Sequence, residues 1–211
     1  MTASPSPAWT DRRILAGIAA MAAVVALSNV LVQVLLGDWL TWGALTYPIA
    51  FLVTDLTNRA VGPAAARRVV AAGFVAGVIC SLIAAGFGLT TLRIACGSGL
   101  AFLAAQLLDV TVFDRLRRGA WWRAPLTSSI LGSALDTALF FSIAFSAAFA
   151  PLFPAEDVAW ANEAIPLLGV GPTAPLWVSL AAADFAVKLG LALLALAPFR
   201  AASARMAPDP G

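Results

Sequence analysis

The chain has 211 residues, 61% of them apolar and only 11% charged, with a mean hydropathy of +0.91; soluble domains carry about 25% charged residues, so a soluble globular protein is excluded. Thirteen basic and eleven acidic side chains leave a net charge of +2, too little positive surface for nucleic acid to be a partner. There is no histidine, and the two cysteines, Cys80 and Cys96, lie in apolar stretches, so no metal site, disulfide framework or protein-bound cofactor is expected.

A helix needs about 20 apolar residues to cross roughly 30 Å of hydrocarbon. Six runs qualify, at residues 14–36, 43–61, 68–89, 91–113, 126–150 and 175–198. The expectation is therefore an all-α integral membrane protein, a six-transmembrane-helix bundle forming a single transmembrane domain over 1–211. Asp55, Asn58 and Arg59 crowd the end of the second run. The first run reaches Leu36, longer than the apolar part of a cleaved signal, and is read as a retained span. Residues 151–174, rich in Pro and Gly, are predicted to form a loop with a short interfacial helix around Val158 to Ala164. No soluble domain is expected before or after the bundle. Trp121 and Trp122 suit one membrane interface, and Trp39, Trp42 and Trp177 the other.

Lys and Arg in short loops are retained on the cytoplasmic side. Arg12 and Arg13, then Arg59, Arg67 and Arg68, then Arg115, Arg117, Arg118 and Arg123, and finally Arg200 and Arg205 fall on one side of the six runs. Asp38, Glu156, Asp157 and Glu163 fall on the other, with Arg93 as its one basic residue. Both termini are predicted to be cytoplasmic.

An ionisable group at mid-bilayer costs roughly 2.5–3.5 kcal/mol on insertion scales and needs a partner or a hydrated cavity. Asp55, Asp109, Asp136, Asp184 and Lys188 all lie within the apolar runs. Helical spacing collects them on stripes: Tyr47, Phe51, Thr54, Asp55 and Asn58 on the second helix; Phe102, Gln106, Asp109 and Phe113 on the fourth; Ser129, Gly132, Ser133, Asp136 and Phe140 on the fifth. Asn29 and Gln33 repeat the spacing on the first helix, and Asp184 and Lys188 stand one turn apart on the sixth. Serine, threonine and amide groups commonly act as interhelical glue, and Asp184 with Lys188 could neutralise each other. Carboxylates are poor glue unless a donor faces them. Carboxylates, amides and aromatic rings converging between helices suit a flat, hydrogen-bonding small molecule rather than a lipid tail or an inorganic ion. The candidate substrate-binding residues are Tyr47, Asp55, Asn58, Arg59, Gln106, Asp109, Asp136, Asn29, Asp184 and Lys188.

Thr46 to Arg68 reads TYPIAFLVTDLTNRAVGPAAARR. This resembles the Y-P-x-x-F-L-x-T-D-L-T-x-R-x-x-G-x-x-x-A-R-R signature of the queuosine precursor transporters, a family grouped with the vitamin uptake transporters. RIACGSGLAFLAAQLLDVTVFDRLRRGAWWRAP from Arg93, SSILGSALDTALFFSIAF from Ser128 and ADFAVKL from Ala183 are similar to that family's fourth, fifth and sixth helices. The resemblance implies a multi-pass importer in the bacterial inner membrane for 7-cyano-7-deazaguanine and 7-aminomethyl-7-deazaguanine. It also implies an architecture akin to the substrate-binding subunits of energy-coupling-factor vitamin transporters. By position it carries substrate roles onto Asp55, Thr57, Arg59, Gln106, Asp109, Asp136, Asp184 and Lys188. Other branches of the family carry a Thr-Glu pair where this chain has Asn58 and Arg59.

The expected function is thus import of a 7-deazaguanine, with membrane lipid as surroundings, self-association left open, and no enzymatic activity. Two rivals stand beside it. One is a binding subunit that leans on a partner through small residues such as Ala16, Ala19, Ala20 and Ala23 of the first helix. The other is an intramembrane enzyme using Asp109 and Asp136 as acid and base, against which stand the absence of a metal cluster and of any nucleophile beside a base in the sequence.

Overall fold

The computed structural model describes residues 11–206, so both ends of the expected 1–211 domain, 1–10 and 207–211, lie outside the described residues. Among them are six long α-helices: α1 (Arg12–Leu31), α2 (Gly43–Val61), α3 (Pro63–Gly86), α4 (Leu92–Leu116), α5 (Arg123–Phe145) and α6 (Leu176–Ser203). Two short hairpins complete the fold, β1 (Leu35–Leu36) with β2 (Leu40–Thr41), and β3 (Ala164–Pro166) with β4 (Thr173–Pro175).

Three helix boundaries that depart from the apolar runs have a local cause. The first run extends to Leu36, but α1 stops at Leu31; Gly37 at φ 68° turns the chain back so that Leu35 and Leu36 pair with Thr41 and Leu40. α3 begins at Pro63, five residues before the expected start, because Gly62 at φ 103° reverses the chain and proline suits the first helical position. α5 ends at Phe145 rather than 150. There the Asn162 side chain donates to the Phe145 carbonyl at 2.9 Å and accepts from the Ala147 N–H at 3.1 Å, diverting the chain into a 3-10 helix over Ala147–Leu152. The expected interfacial helix at Val158 to Ala164 is a single 3-10 turn, Ala159–Asn162, followed by β3.

Side-chain bonds fix the helix directions. Tyr47 faces Ser98, Thr54 faces Gln106 and Asn58 faces Val110, at sequence separations of 51, 52 and 52, so α2 and α4 run parallel in constant register. Ser28 donates to Thr46 at 2.8 Å and Gly17 lies against Thr57, so α1 and α2 run antiparallel. α4 and α5 are antiparallel as well, with Arg93 bonded to Ile143 and Gly132 against the Ala105 carbonyl. This alternation brings the two hairpins to one end of the bundle and the arginine-rich connections to the other.

Among the described residues five helices are long and apolar enough to cross a membrane: α1, α3, α4, α5 and α6. α2 is not among them, and its place in the bundle explains why. It packs against all five other helices, so Thr54, Asp55, Thr57 and Asn58 are buried in protein. A helix largely covered by its neighbours need not be apolar.

Candidate functional site

A cavity of about 430 Å³ opens at the hairpin end of the bundle. Its mouth is framed by Asp38 and Trp39 from the β1–β2 turn, Thr90 from the α3–α4 connection and Trp160 from the long loop before α6. The volume lies in the range of small-molecule sites.

Charge is concentrated on α5 and α6. Lys188 Nζ donates to Asp136 Oδ2 at 2.6 Å across the helix interface and to Asp184 Oδ2 at 2.5 Å one turn back on its own helix. Thr137 Oγ1 donates to Asp184 Oδ2 at 2.8 Å. Lys188 and Asp184 are buried at 4% and 9% exposure, and burial without a partner would be prohibitive for either. Both carboxylates bond Lys188 through Oδ2, while neither Oδ1 has a hydrogen bond among the described residues. The floor therefore keeps carboxylate oxygens not engaged by Lys188.

One wall is aromatic. Phe140 stands edge-on to Phe141 at 5.0 Å between centroids, and Phe145 is edge-on to Trp160 at 5.6 Å. Phe145 also lies 5.8 Å from both other phenylalanines, which makes one continuous surface suited to a flat ring. Facing it are Asn29, bonded to Ser81 at 3.3 Å, and Tyr47, bonded to Ser98 at 3.2 Å.

Of the ten residues singled out in the sequence, Asn29, Tyr47, Asp136, Asp184 and Lys188 line this cavity. Asp55, Asn58, Arg59, Gln106 and Asp109 do not; they lie further toward the arginine-rich end. Phe51 closes the space between the two groups: a Cβ built on Gly132 would come within 2.7 Å of its ring, so only glycine lets α5 approach so closely. A void of about 10 Å³ remains there, lined by Lys188, Ser133, Ser129 and Asp55 among others. The polar stripe of α5 thus serves both chambers, Asp136 and Phe140 above, Ser133 and Ser129 below.

In the lower group Thr54 donates to Gln106 Oε1 at 2.6 Å, and Asn58 Nδ2 to the Val110 carbonyl at 3.0 Å. Arg59 reaches the Arg117 carbonyl at 3.2 Å while Arg117 reaches that of Asn58 at 3.3 Å, lashing the ends of α2 and α4 together. Beyond them an apolar seal closes the arginine-rich end, with Phe113 edge-on to Phe199 at 5.9 Å and Leu52, Leu56 and Leu116 packed around it.

Sequence reasoning missed several groups. Thr137, which bonds Asp184 behind the cavity floor, was discoverable as the neighbour of Asp136, but the lining residues Ser81, Ser98 and Trp160 enter only through tertiary contact. Arg93 was read as one basic residue on the acidic side. It is fully buried, donating to the Ile143 and Ser146 carbonyls at 2.7 and 2.6 Å, while its backbone N–H donates to Glu156. Among the described residues no three Cys, Asp or Glu side chains converge as a metal ligand set would.

Residues 41–202 match the family described as "Putative vitamin uptake transporter". The chain is similar to the "Queuosine precursor transporter" of Escherichia coli strain K12, 39% identical over 132 residues, covering 54% of this chain and 60% of that protein. It is 38% identical over 112 residues to the "Probable queuosine precursor transporter" of Haemophilus influenzae, covering 46% of this chain and 48% of the relative. A Bacillus subtilis protein of the same printed name is 27% identical over 210 residues, covering 83% and 76%. The matched stretches thus span about half the length of the two relatives with the higher identity. No solved structure matches the chain. With five apolar helices of spanning length, the matched chain is a multi-pass membrane protein.

Proposed function

The chain belongs to the vitamin uptake transporter family, and from that membership we propose that it imports a queuosine precursor, 7-cyano-7-deazaguanine, with 7-aminomethyl-7-deazaguanine as a second cargo. The observation that carries the reading is the cavity with a carboxylate-rich floor and an aromatic wall. The amino-pyrimidinone edge of a deazaguanine presents adjacent N–H donors, which suit the unengaged oxygens of Asp136 and Asp184. Its carbonyl suits Lys188 or the Tyr47–Ser98 pair, and its ring suits stacking on Phe145 and Trp160.

Six spans are proposed, with α2 as the sixth and central one, forming one domain of the kind seen in energy-coupling-factor binding subunits. The arginine-rich end, carrying both termini, faces the cytoplasm of the bacterial inner membrane. The cavity then opens outward, and the seal of Phe113 and Phe199 closes the inner side. Delivery requires α2, α4 and α6 to part at that seal while the floor releases its ligand, a shift between outward- and inward-open populations.

The test is reconstitution of the purified chain alone in liposomes, with labelled 7-cyano-7-deazaguanine outside. Saturable uptake without added protein supports the reading. Tight binding without uptake would favour the partner-dependent binding subunit, a chemically altered base would favour the enzyme, and neither binding nor uptake would overturn the substrate assignment.

A further inference from the structure

Below the cavity lies a second chamber whose chemistry is one-sided. Asp55 on α2 and Asp109 on α4 are buried at 2% and 0% exposure. The Asp109 carboxyl lies beside that of Asp55 and the Ser128 hydroxyl of α5. Ser128 has one proton to give, and it points at Asp55 Oδ1 at 3.3 Å and the Pro125 carbonyl at 3.4 Å. Neither oxygen of Asp109 receives a hydrogen bond, and Asn58 Oδ1, one turn along α2 from Asp55, receives none either.

Three basic groups of the surrounding helices hold other partners. On α6, Lys188 is held by Asp136 and Asp184. At the end of α2, Arg59 donates to the Arg117 carbonyl, and Arg117 bonds the Asn58 carbonyl and pairs with Asp114. On α3, Arg67 and Arg68 fall in the first two turns, Arg67 exposed and Arg68 half-buried. Buried acceptors without donors are costly, and two adjacent carboxylates compound the cost. The chamber lacks positive charge, not bulk: the void that joins Asp55 to Lys188 is about 10 Å³, room for about one water and far too small for a base.

We propose that Asp55 and Asp109 together bind one exchangeable monovalent cation, a proton or Na+, which enters past Lys188 and moves inward with the substrate, making import a gradient-driven symport. The cation supplies the missing positive charge between the carboxylates, and its arrival and departure give α2 and α4 two states of different packing energy. This rests on the transporter reading, so its test must not depend on transport alone.

Cation binding is measured on the purified full chain without substrate, by 22Na+ retention and by proton exchange in weakly buffered solution. Wild type should bind one cation in one of these arms, and Asp109→Asn, whose amide donates where a cation would sit, should lose it. In liposomes an inward gradient of the bound ion should drive wild-type accumulation, and Asp109→Asn should lose that drive while still exchanging substrate across the membrane at equal concentrations. Asp55→Asn repeats both measurements should Asp109→Asn fail to fold. The arm that binds identifies the ion. Absence of binding in both arms, or gradient-driven accumulation undiminished in both variants, overturns the proposal. Failure of the transporter reading instead shows as cation binding without substrate exchange.

Discussion

Lys188 Nζ bridges two helices, lying 2.6 Å from Asp136 Oδ2 on α5 and bonded to Asp184 Oδ2 on α6. An i, i+4 pair that could have neutralised itself is instead shared with a third group from across the interface. One ammonium thus holds α5 to α6 at the depth where the cavity ends. Lys188→Met would strand two largely buried carboxylates at the base of the cavity, and breaking a buried pair this way costs about 3–5 kcal/mol. Thermal unfolding in detergent should fall sharply for Lys188→Met, and much less for the triple change Asp136→Asn, Asp184→Asn, Lys188→Met, which removes all three charges together.

Asp136 is the less buried of the two carboxylates, with its side chain 14% exposed, and it lines the cavity. Asp136→Asn keeps the shape and a partner for Lys188 but turns an acceptor into a mixed donor. A charge-assisted hydrogen bond is worth about 1.5–3 kcal/mol, so substrate Kd should rise at least tenfold. Stability, read from thermal unfolding, should change far less than for Lys188→Met.

Trp160 closes the aromatic wall from the long loop, edge-on to Phe145 at 5.6 Å. It is 49% exposed, so little of the fold depends on it. Trp160→Ala should weaken substrate binding by about 1 kcal/mol, roughly fivefold in Kd, with the unfolding temperature unchanged.

Gly132 lets α5 pass within contact of both Phe51 and the Ala105 carbonyl. Gly132→Ala should destabilise the bundle by about 1–3 kcal/mol through overpacking. Phe51→Leu in the same chain should recover part of that loss, and a double-mutant cycle on unfolding free energy measures the coupling.

Arg93 draws the start of α4 to the end of α5 through the Ile143 and Ser146 carbonyls and orients the following loop through Glu156. Arg93→Ala removes two charge-assisted bonds, a loss of about 2–4 kcal/mol. Hydrogen exchange should accelerate first in residues 143–162, and Arg93→Lys should restore little because a single ammonium cannot fork to both carbonyls.

Much of the bundle was legible in the apolar runs because hydrocarbon imposes one rule on every exposed helix. The run at 43–61 matches α2 to the residue. Errors collected where polar side chains redirect the backbone, as Asn162 does at the end of α5, since such a bond links residues 17 apart in sequence and leaves no local period. The stripes on α2, α4 and α5 marked the buried polar groups. They could not tell that Asp136 faces an open cavity while Asp55 and Asp109 are shut in below it, because the divider is a ring on α2 seated against a glycine on α5.

Composition and spacing alone determined that the chain lives in a membrane and that its helices carry carboxylates on shared stripes; the tie to its family came from the resemblance of its motifs. Lipid punishes unpartnered polar groups residue by residue, and that penalty is written along the chain. The division of those carboxylates between two chambers, the sharing of Lys188 and the orphaned state of Asp109 were decided only in three dimensions. A side chain's partners depend on which helices meet and at what register, and the constant offset of about 52 residues between α2 and α4 is a property of packing that no single helix encodes.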